Sequence, residues 1–416
     1  MQKALHTSFR NVPKTGVVYV MAQARELGFS YGDPAWSNLG QGAPETDAIA
    51  GGPERLSAVH VNPTLCEYAP VAGDLELREA VANLYNARYR VGRASQYSAE
   101  NVAIAGGGRL SLSRLAAALG RTHLGHLLPD YTAYEELLDI FALFTPIPIP
   151  LEAATGYQLS AKQVRNEIVQ RGLGALLFSN PSNPTGRVVQ GEALDEWVTT
   201  ARELDSYLLI DEFYAHYIWD GNAKTVSAAA YVDDVNVDPV VMLDGLTKNW
   251  RYPGWRVGWT VGPKTVIEAV SSVGSFLDGG APHPLQRAAI PLLDPAVADA
   301  EAEAIRATFG PKRELMLAGL RKIGVHIDNE PGGAFYVWGD VSGLPDGLNT
   351  GRSFFREALK QRVIVVPGEF FDVNPGNRRH HRESRFSRHV RFSFGPEIGA
   401  VRSGLERLHE MVQAAR

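Results

Sequence analysis

The stretch that decides the fold is ALLFSNPSNPTG at residues 175–186, which a second stretch, YLLIDEFY at residues 207–214, follows after a helical pattern. Each stretch begins with a nearly continuous apolar run of strand length and then turns polar. Between them, apolar residues recur at helical spacing, namely Leu194, Val198, Ala201 and Leu204. This order predicts two parallel strands joined by a helical crossover, because strands buried on both faces read as continuous apolar runs.

The same alternation extends in both directions along the chain. Five more strands are predicted at residues 102–105, 126–129, 146–150, 240–244 and 257–261. Helical patterns separate most of them. We therefore expect an α/β fold with a mostly parallel seven-stranded sheet sandwiched by helices.

Past about residue 297 the pattern changes. A long helix is predicted over 297–323, in which Gly310-Pro311 allows a break, and short strands follow near 333–337, 363–366 and 390–394. We expect these elements and the N-terminal arm to form a smaller α/β domain. The predicted boundaries are 1–45 for the arm, 46–296 for the large domain and 297–416 for the small domain.

Composition limits the kinds of protein this can be. The 416 residues exceed what one hydrophobic core usually spans, and they are 45% hydrophobic and 21% charged, as in ordinary globular proteins. A formal net charge of -5 gives no reason to expect nucleic acid or a membrane surface as a partner. Cys66 is the single cysteine, so no intrachain disulfide can form, and a cytoplasmic location is expected.

Chemically competent residues follow the predicted strands. In open α/β sheets, ligands bind beyond the carboxyl ends of the strands. The strand at 102–105 leads into Gly106-Gly107-Gly108 and a helix, where backbone N–H groups can bind a phosphate. Another strand ends at Asp211, and a third leads to Lys248. A desolvated lysine amine is what Schiff-base chemistry requires, although a lone lysine that reaches the surface is the common alternative.

Five motifs in one order carry a family resemblance. They are Asn183-Pro184-Thr185-Gly186, Asp211 with Tyr214 three residues later, Lys248, Arg256 eight residues after the lysine, and Arg391 within Val390-Arg391-Phe392. Their order and spacing resemble the fold type I (class I/II) pyridoxal-phosphate-dependent aminotransferase family over nearly the whole chain. The resemblance implies pyridoxal 5'-phosphate as cofactor and transfer of an α-amino group between an amino acid and a 2-oxo acid through a Lys248 Schiff base.

The resemblance also implies roles for individual residues. Catalysis would involve Lys248 as acid and base, Asp211 as the partner of the cofactor's pyridine nitrogen, and Tyr214. The implied cofactor-binding residues are Gly107, Gly108, Arg109, Tyr131, Asn183, Asp211, Tyr214, Thr247, Lys248, Arg256 and, across a homodimer interface, Tyr68. The implied substrate-binding residues are Gly42, Asn183 and Arg391, of which Arg391 would hold the α-carboxylate. No metal ligands are expected.

Three residues depart from the family pattern. Gly245 stands where a serine hydroxyl usually contacts the phosphate, and Arg109 occupies a place that is usually small or polar, with its guanidinium expected to face solvent. Asp278 falls in a loop through which the partner subunit usually contributes to substrate recognition. An aspartate there argues against a dicarboxylate substrate and favours a neutral or cationic side chain.

Two alternatives remain open on sequence alone. A related pyridoxal-phosphate enzyme could direct the same carbanion to β- or γ-replacement or cyclisation, because the fold does not determine the carbanion's fate.

The basic segment 378–389 is interpreted first as a solvated loop, second as an anion-accepting rim and last as a histidine metal site. A nicotinamide dehydrogenase is disfavoured, since Gly106-Gly107-Gly108 lacks the dinucleotide spacing.

Overall fold

The computed structural model describes residues 12, 16–141, 143–221, 223–379 and 383–416. Residues 1–11 and 13–15 of the predicted arm, and His380, His381 and Arg382 of the basic segment, lie outside the described residues. The strands are β1 (Ser37–Asn38), β2 (Val102–Ala105), β3 (His123–Leu128), β4 (Thr145–Pro150), β5 (Leu173–Ser179), β6 (Tyr207–Asp211), β7 (Val240–Gly245), β8 (Gly258–Val261), β9 (Tyr336–Asp340), β10 (Val363–Ile364), β11 (Val366–Pro367) and β12 (His389–Ser393). The helices are α1 (Gly16–Glu26), α2 (Leu75–Tyr89), α3 (Gly108–Ala118), α4 (Tyr134–Ile140), α5 (Ala161–Arg171), α6 (Glu192–Leu204), α7 (Lys264–Leu277), α8 (His283–Ala289), α9 (Pro295–Ile323), α10 (Gly351–Lys360) and α11 (Ile398–Ala414).

The large sheet has seven strands in the order β2-β8-β7-β6-β5-β3-β4. Neighbouring strands are parallel except at β8, which runs antiparallel to both β2 and β7. Ser179 on β5 lies opposite Asp211 on β6, and Asp211 lies opposite Leu243 on β7. The carboxyl ends of these three strands therefore lie level at one edge, and the expected mostly parallel sheet is confirmed.

Helices cover the large sheet as the apolar spacing predicts. In α6 the buried side chains include Leu194, Val198 and Ala201, which share one face of the helix. This helix packs against α5, and α3 packs in the same way against α7. Each crossover helix therefore buries its apolar stripe and leaves its polar residues outward.

The C-terminal part forms a smaller α/β unit. Strands β11, β12 and β9 form an antiparallel sheet. Strand β1 pairs in parallel with β10, and this pairing joins the N-terminal part of the chain to the smaller unit. The break that Gly310-Pro311 allows does not occur, since α9 continues through Pro311. Buried residues lie on both sides of the proline, among them Phe309 and Met316, and their packing offsets the roughly 3 kcal/mol that an interior proline costs. Within the described residues, no helix combines the length and apolarity that a membrane span requires.

Candidate active site

The carboxyl ends of β5, β6 and β7 bring three of the predicted residues to one site. Asn183 follows β5, Asp211 ends β6, and Lys248 lies three residues beyond β7. The Lys248 amine donates a hydrogen bond to the carbonyl oxygen of Gly42, a residue of the N-terminal segment. The site therefore lies where the large sheet meets the smaller unit.

Lys248 is surrounded mainly by positive charge. Burial, helped by the charges of Arg391, Arg256 and Arg109 and opposed by that of Asp211, lowers the pKa of its amine to about 7. Arg109 thus faces the site, although its side chain is exposed, and its Nε donates to the Tyr131 hydroxyl over 3.1 Å. Arg109 is exposed, as expected, and its Nε also contacts a residue that is predicted to bind the cofactor.

Asp211 is held at the floor of the site. Burial raises the pKa of its carboxyl to about 6, and hydrogen bonds from the Phe213 N–H and the Tyr134 hydroxyl, each 3.3 Å long, act in the opposite direction. Tyr134 begins α4, three residues after Tyr131, and the two rings meet edge to face. A carboxylate in this setting can accept a hydrogen bond from a cationic ring nitrogen.

The N-terminus of α3 and Arg256 form a cradle suited to an anion. Helix α3 begins at Gly108, so the first N–H groups of its first turn are free of intrahelical partners. A Cβ on Gly107 would collide with the Arg256 guanidinium. Arg256 Nη1 donates to Thr247 Oγ1 over 3.3 Å and to the Pro253 carbonyl over 2.9 Å. The predicted residues Gly107, Gly108, Thr247 and Arg256 are thus brought together.

Arg391 is a buried cation whose hydrogen-bond partners are neutral. It is 2% exposed, and it donates to Asn183 Oδ1 over 2.8 Å and to the Gly40 carbonyl over 2.5 Å. Its Nε has no hydrogen-bond partner in the described part of the chain. A buried guanidinium with a free donor and no paired carboxylate among the described residues is prepared to bind an anion.

The phenol of Tyr214 lies beside a second tyrosine that the sequence analysis did not single out. The hydroxyls of Tyr214 and Tyr336 are 2.8 Å apart, and both side chains are buried. Tyr336 belongs to β9, so this contact joins residues 122 positions apart. Tyr134 and Tyr336 are the two site residues that were missed. Tyr134 had a local signal in its helical distance from Tyr131, whereas Tyr336 had none.

The departures from the family pattern have structural explanations. A Cβ on Gly245 would lie 2.5 Å from Gly258 Cα and 2.6 Å from the Val257 carbonyl oxygen, so a serine does not fit there without movement of β8. Asp278 forms an ion pair with the buried Arg114, with 2.9 Å between Nε and Oδ2. Its charge is already compensated within the chain, which removes the basis for reading substrate preference from it.

Two predicted features lie away from this cluster. Tyr68 is 95% exposed on the surface. In the basic segment, Arg378 lies 3.6 Å from Asp139, and Arg379 forms a 2.9 Å ion pair with Asp372. These two arginines therefore fix the segment against the protein. Among the described residues, no group of three or more acidic, histidine or cysteine side chains could hold a metal ion.

Comparisons with known proteins agree with this geometry. The family model described as aminotransferase class I and II matches residues 34–408. A probable aspartate/prephenate aminotransferase from Thermus aquaticus is 31% identical over 350 residues, which cover 83% of this chain and 84% of that protein. A valine–pyruvate aminotransferase from Mycobacterium tuberculosis is 28% identical over 403 residues, covering 95% of this chain and 96% of the relative.

The solved structures lead to the same family. The aspartate aminotransferase from Thermus thermophilus with maleate superposes with a TM-score of 0.77 and 27% identity, covering 97% of this chain and 100% of that one. A family match of this extent, together with relatives of at least 30% identity, decides the assignment. The chain belongs to the class I and II aminotransferases, the pyridoxal-phosphate-dependent transferases that move an α-amino group between an amino acid and a 2-oxo acid.

Proposed function

We propose that Lys248 is the residue that binds pyridoxal phosphate covalently and carries protons during amino transfer. The observation that carries this proposal is the partly buried amine of Lys248, with its pKa lowered to about 7 by burial and by three arginines. At neutral pH a large fraction of such an amine is unprotonated, and only the unprotonated form is a nucleophile or a base.

The residues around Lys248 fit the cofactor at both of its ends. When bound, pyridoxal phosphate supplies a carbonyl that condenses with amines and a ring that accepts electrons. The cradle of Gly107, Gly108, Thr247 and Arg256 would hold the phosphate, because it offers N–H groups, a hydroxyl and a guanidinium. At the opposite end, Asp211 would hold the proton on the ring nitrogen.

Three further residues would fix the ring between these ends. Tyr131 would stack on its face, with its own hydroxyl held by Arg109. Tyr214 would donate to the phenolic oxygen, and Asn183 would reach the same oxygen while its Oδ1 accepts from Arg391. Asn183 would therefore connect the cofactor and the substrate clamp.

Arg391 would bind the substrate's α-carboxylate, which supplies the anion that the guanidinium lacks. A guanidinium that already makes two hydrogen bonds to neutral oxygens is held in position before substrate arrives. Gly42 lies on the same side, and its carbonyl accepts a hydrogen bond from Lys248. Once released, the Lys248 amine would take up at Nζ the proton that leaves the substrate α-carbon and give it back to complete a 1,3-proton shift, a positioned transfer of the kind that contributes about 10²–10⁴-fold.

We propose the same homodimer that the family resemblance implies, with Tyr68 extending into the partner's phosphate site. Its 95% exposure leaves the side chain available for such a contact. Sedimentation equilibrium tests the dimer. We also retain as proposals the domain boundaries 1–45, 46–296 and 297–416, and a cytoplasmic location, which rests on the free Cys66.

The named substrates of the relatives belong to several side-chain classes. Relatives are named for aspartate, prephenate and valine–pyruvate transamination. Because Asp278 is neutralised by Arg114, we propose no preference for cationic substrates. β- or γ-replacement and cyclisation are not favoured by the comparisons.

An absorbance spectrum of the purified protein with added pyridoxal phosphate tests the proposal, recorded with a panel of amino acids that includes aspartate and valine. We expect a visible band that the best donor converts to the pyridoxamine form, and no such band in Lys248→Ala. An unchanged band in Lys248→Ala would contradict the assignment of the lysine. Product release without the pyridoxamine form would instead favour another fate of the carbanion.

A further inference from the structure

Tyr336 contacts both Tyr214, which is proposed to bind the cofactor, and Arg391, which is proposed to bind the substrate. Its side chain is 0% exposed, and its hydroxyl is 2.8 Å from that of Tyr214. A Cβ on Gly42 would collide with the same hydroxyl, so Tyr336 also lies directly against the segment whose carbonyl accepts from Lys248. Nothing in the proposed function assigns a role to this residue.

The ring of Tyr336 has a separate contact. The Arg391 guanidinium carbon lies 4.2 Å from the centroid of the ring, within the range of a cation–π interaction. Sheet geometry explains this contact, because Tyr336 is paired with Ser393 in the β9–β12 ladder and Arg391 is two residues away on the same face of β12. The hydroxyl and the ring thus contact different functional residues.

The hydroxyl contact constrains the hydrogen bonding of Tyr214. In the described structure the Tyr214 hydroxyl has Tyr336 as its partner. If Tyr214 donates to the cofactor's phenolic oxygen, its own oxygen is free to accept, and Tyr336 is the donor within reach. Donation into the Tyr214 oxygen strengthens the bond that Tyr214 donates onward, because hydrogen bonds in a chain polarise one another.

We propose that Tyr336 is a positioning residue with two separable actions. Its hydroxyl strengthens the hydrogen bond from Tyr214 to the cofactor, and its ring holds the Arg391 guanidinium in place for the substrate carboxylate. This proposal rests on the proposed function, since it acts through Tyr214 and Arg391. Tyr336→Phe removes the first action and keeps the second, whereas Tyr336→Leu removes both.

The test is a pH titration of the visible absorbance of the bound cofactor, combined with steady-state kinetics for one amino acid. In Tyr336→Phe we expect the titration midpoint of the cofactor absorbance to rise by roughly 0.5 pH unit. The reason is that a weaker hydrogen bond to the phenolic oxygen makes the bound cofactor hold its titrating proton more tightly. KM should be unchanged. Tyr214→Phe should raise the midpoint by roughly 1 unit. In Tyr336→Leu we expect the same midpoint shift and a KM about fivefold higher.

A matched control is Tyr85→Phe, since Tyr85 is also buried but belongs to α2 and is not among the site residues. It should change neither the midpoint nor KM. A Tyr336→Phe midpoint equal to that of the parent overturns the hydroxyl action, and a Tyr336→Leu KM equal to that of Tyr336→Phe overturns the ring action. Both failures differ from failure of the proposed function, in which the parent protein itself shows no lysine-dependent band to titrate.

Discussion

Arg391 and Arg251 are both fully buried arginines, yet their surroundings are opposite in kind. Arg251 donates to the Glu301 carboxylate over 2.7 Å and to the carbonyls of Glu45 and Asp47. Arg391 donates to an amide oxygen and a carbonyl and lies over the rings of Tyr336 and Phe371. Each arginine keeps one nitrogen without a hydrogen-bond partner among the described residues, Nε in Arg391 and Nη2 in Arg251, so the contrast lies in the carboxylate. The first charge is compensated within the chain, and the second is not.

This difference separates structural charges from functional ones. Burying a charge is costly unless an opposite charge and hydrogen bonds accompany it. For Arg251 the protein supplies the opposite charge of Glu301 and hydrogen bonds to the carbonyls of Glu45 and Asp47. Arg251 therefore fixes the segment that contains Glu45 and Asp47 against the loop after Lys248. For Arg391 the missing carboxylate is, in the proposed function, the substrate's α-carboxylate. Three predictions test this contrast.

The largest effect on catalysis is expected on the Arg391 side. Arg391→Met should lower kcat/KM by roughly 10²–10³-fold, because the α-carboxylate loses a charge-assisted bidentate partner. The thermal midpoint should not fall, since an uncompensated buried charge has been removed. Kinetics and thermal unfolding of the same preparation measure both quantities.

Arg391→Lys is the control for this substitution. It keeps the charge and loses the planar fork, so its kcat/KM should lie between those of the parent and Arg391→Met. A variant that unfolds more easily but turns over substrate at the parental rate would make Arg391 a structural residue and remove the contrast.

The Arg251 side should respond in stability. Arg251→Met leaves the buried Glu301 without its closest partner and should lower the free energy of unfolding by about 3–5 kcal/mol. The double variant Arg251→Met with Glu301→Leu should recover most of this loss, because both charges are then absent. Urea unfolding of the single and double variants measures the difference. If the double variant were no more stable than the single one, the ion pair would not be the reason for the loss.

The third and smallest effect is the pH dependence of stability that arises from Lys248, whose amine is surrounded mainly by positive charge. Its pKa is about 7 in the folded protein against the ordinary value of 10.5. Between these pH values the unfolded chain binds a proton that the folded chain lacks, so the stability of the cofactor-free protein should increase as pH rises. The slope contributed by Lys248 is at most about 1.4 kcal/mol per pH unit.

Urea unfolding at two pH values inside this window measures the slope. Lys248→Met provides the reference, because it retains every other titrating group. Equal slopes in the parent and the variant would mean that the lysine is not desolvated in the folded protein.

The parts of the site that the sequence predicted share one physical origin. Asn183, Asp211 and Lys248 follow apolar strands directly, and parallel strands bring their carboxyl ends to one edge. The local pattern of apolar and polar residues was therefore enough to predict the large sheet and the common location of these residues. Their roles were taken from the resemblance and remain proposals.

The parts that escaped prediction depend on contacts between distant segments. Tyr336 meets Tyr214 only after the smaller unit has packed on the large sheet, and Asp278 meets Arg114 across 164 residues. The continuity of α9 through Pro311 likewise depends on packing, which outweighs the local preference. No spacing within either segment contains this information.

The close approach at Gly245 has a consequence for engineering. Gly245 faces Gly258, which in turn lies against the backbone of Gly107 and Gly108, so three backbone segments are stacked without side chains between them. A serine introduced at 245 would add a hydroxyl near the proposed phosphate site only by pushing apart the backbone segments that form this site. Position 245 is therefore closed to any side chain unless the neighbouring backbone moves.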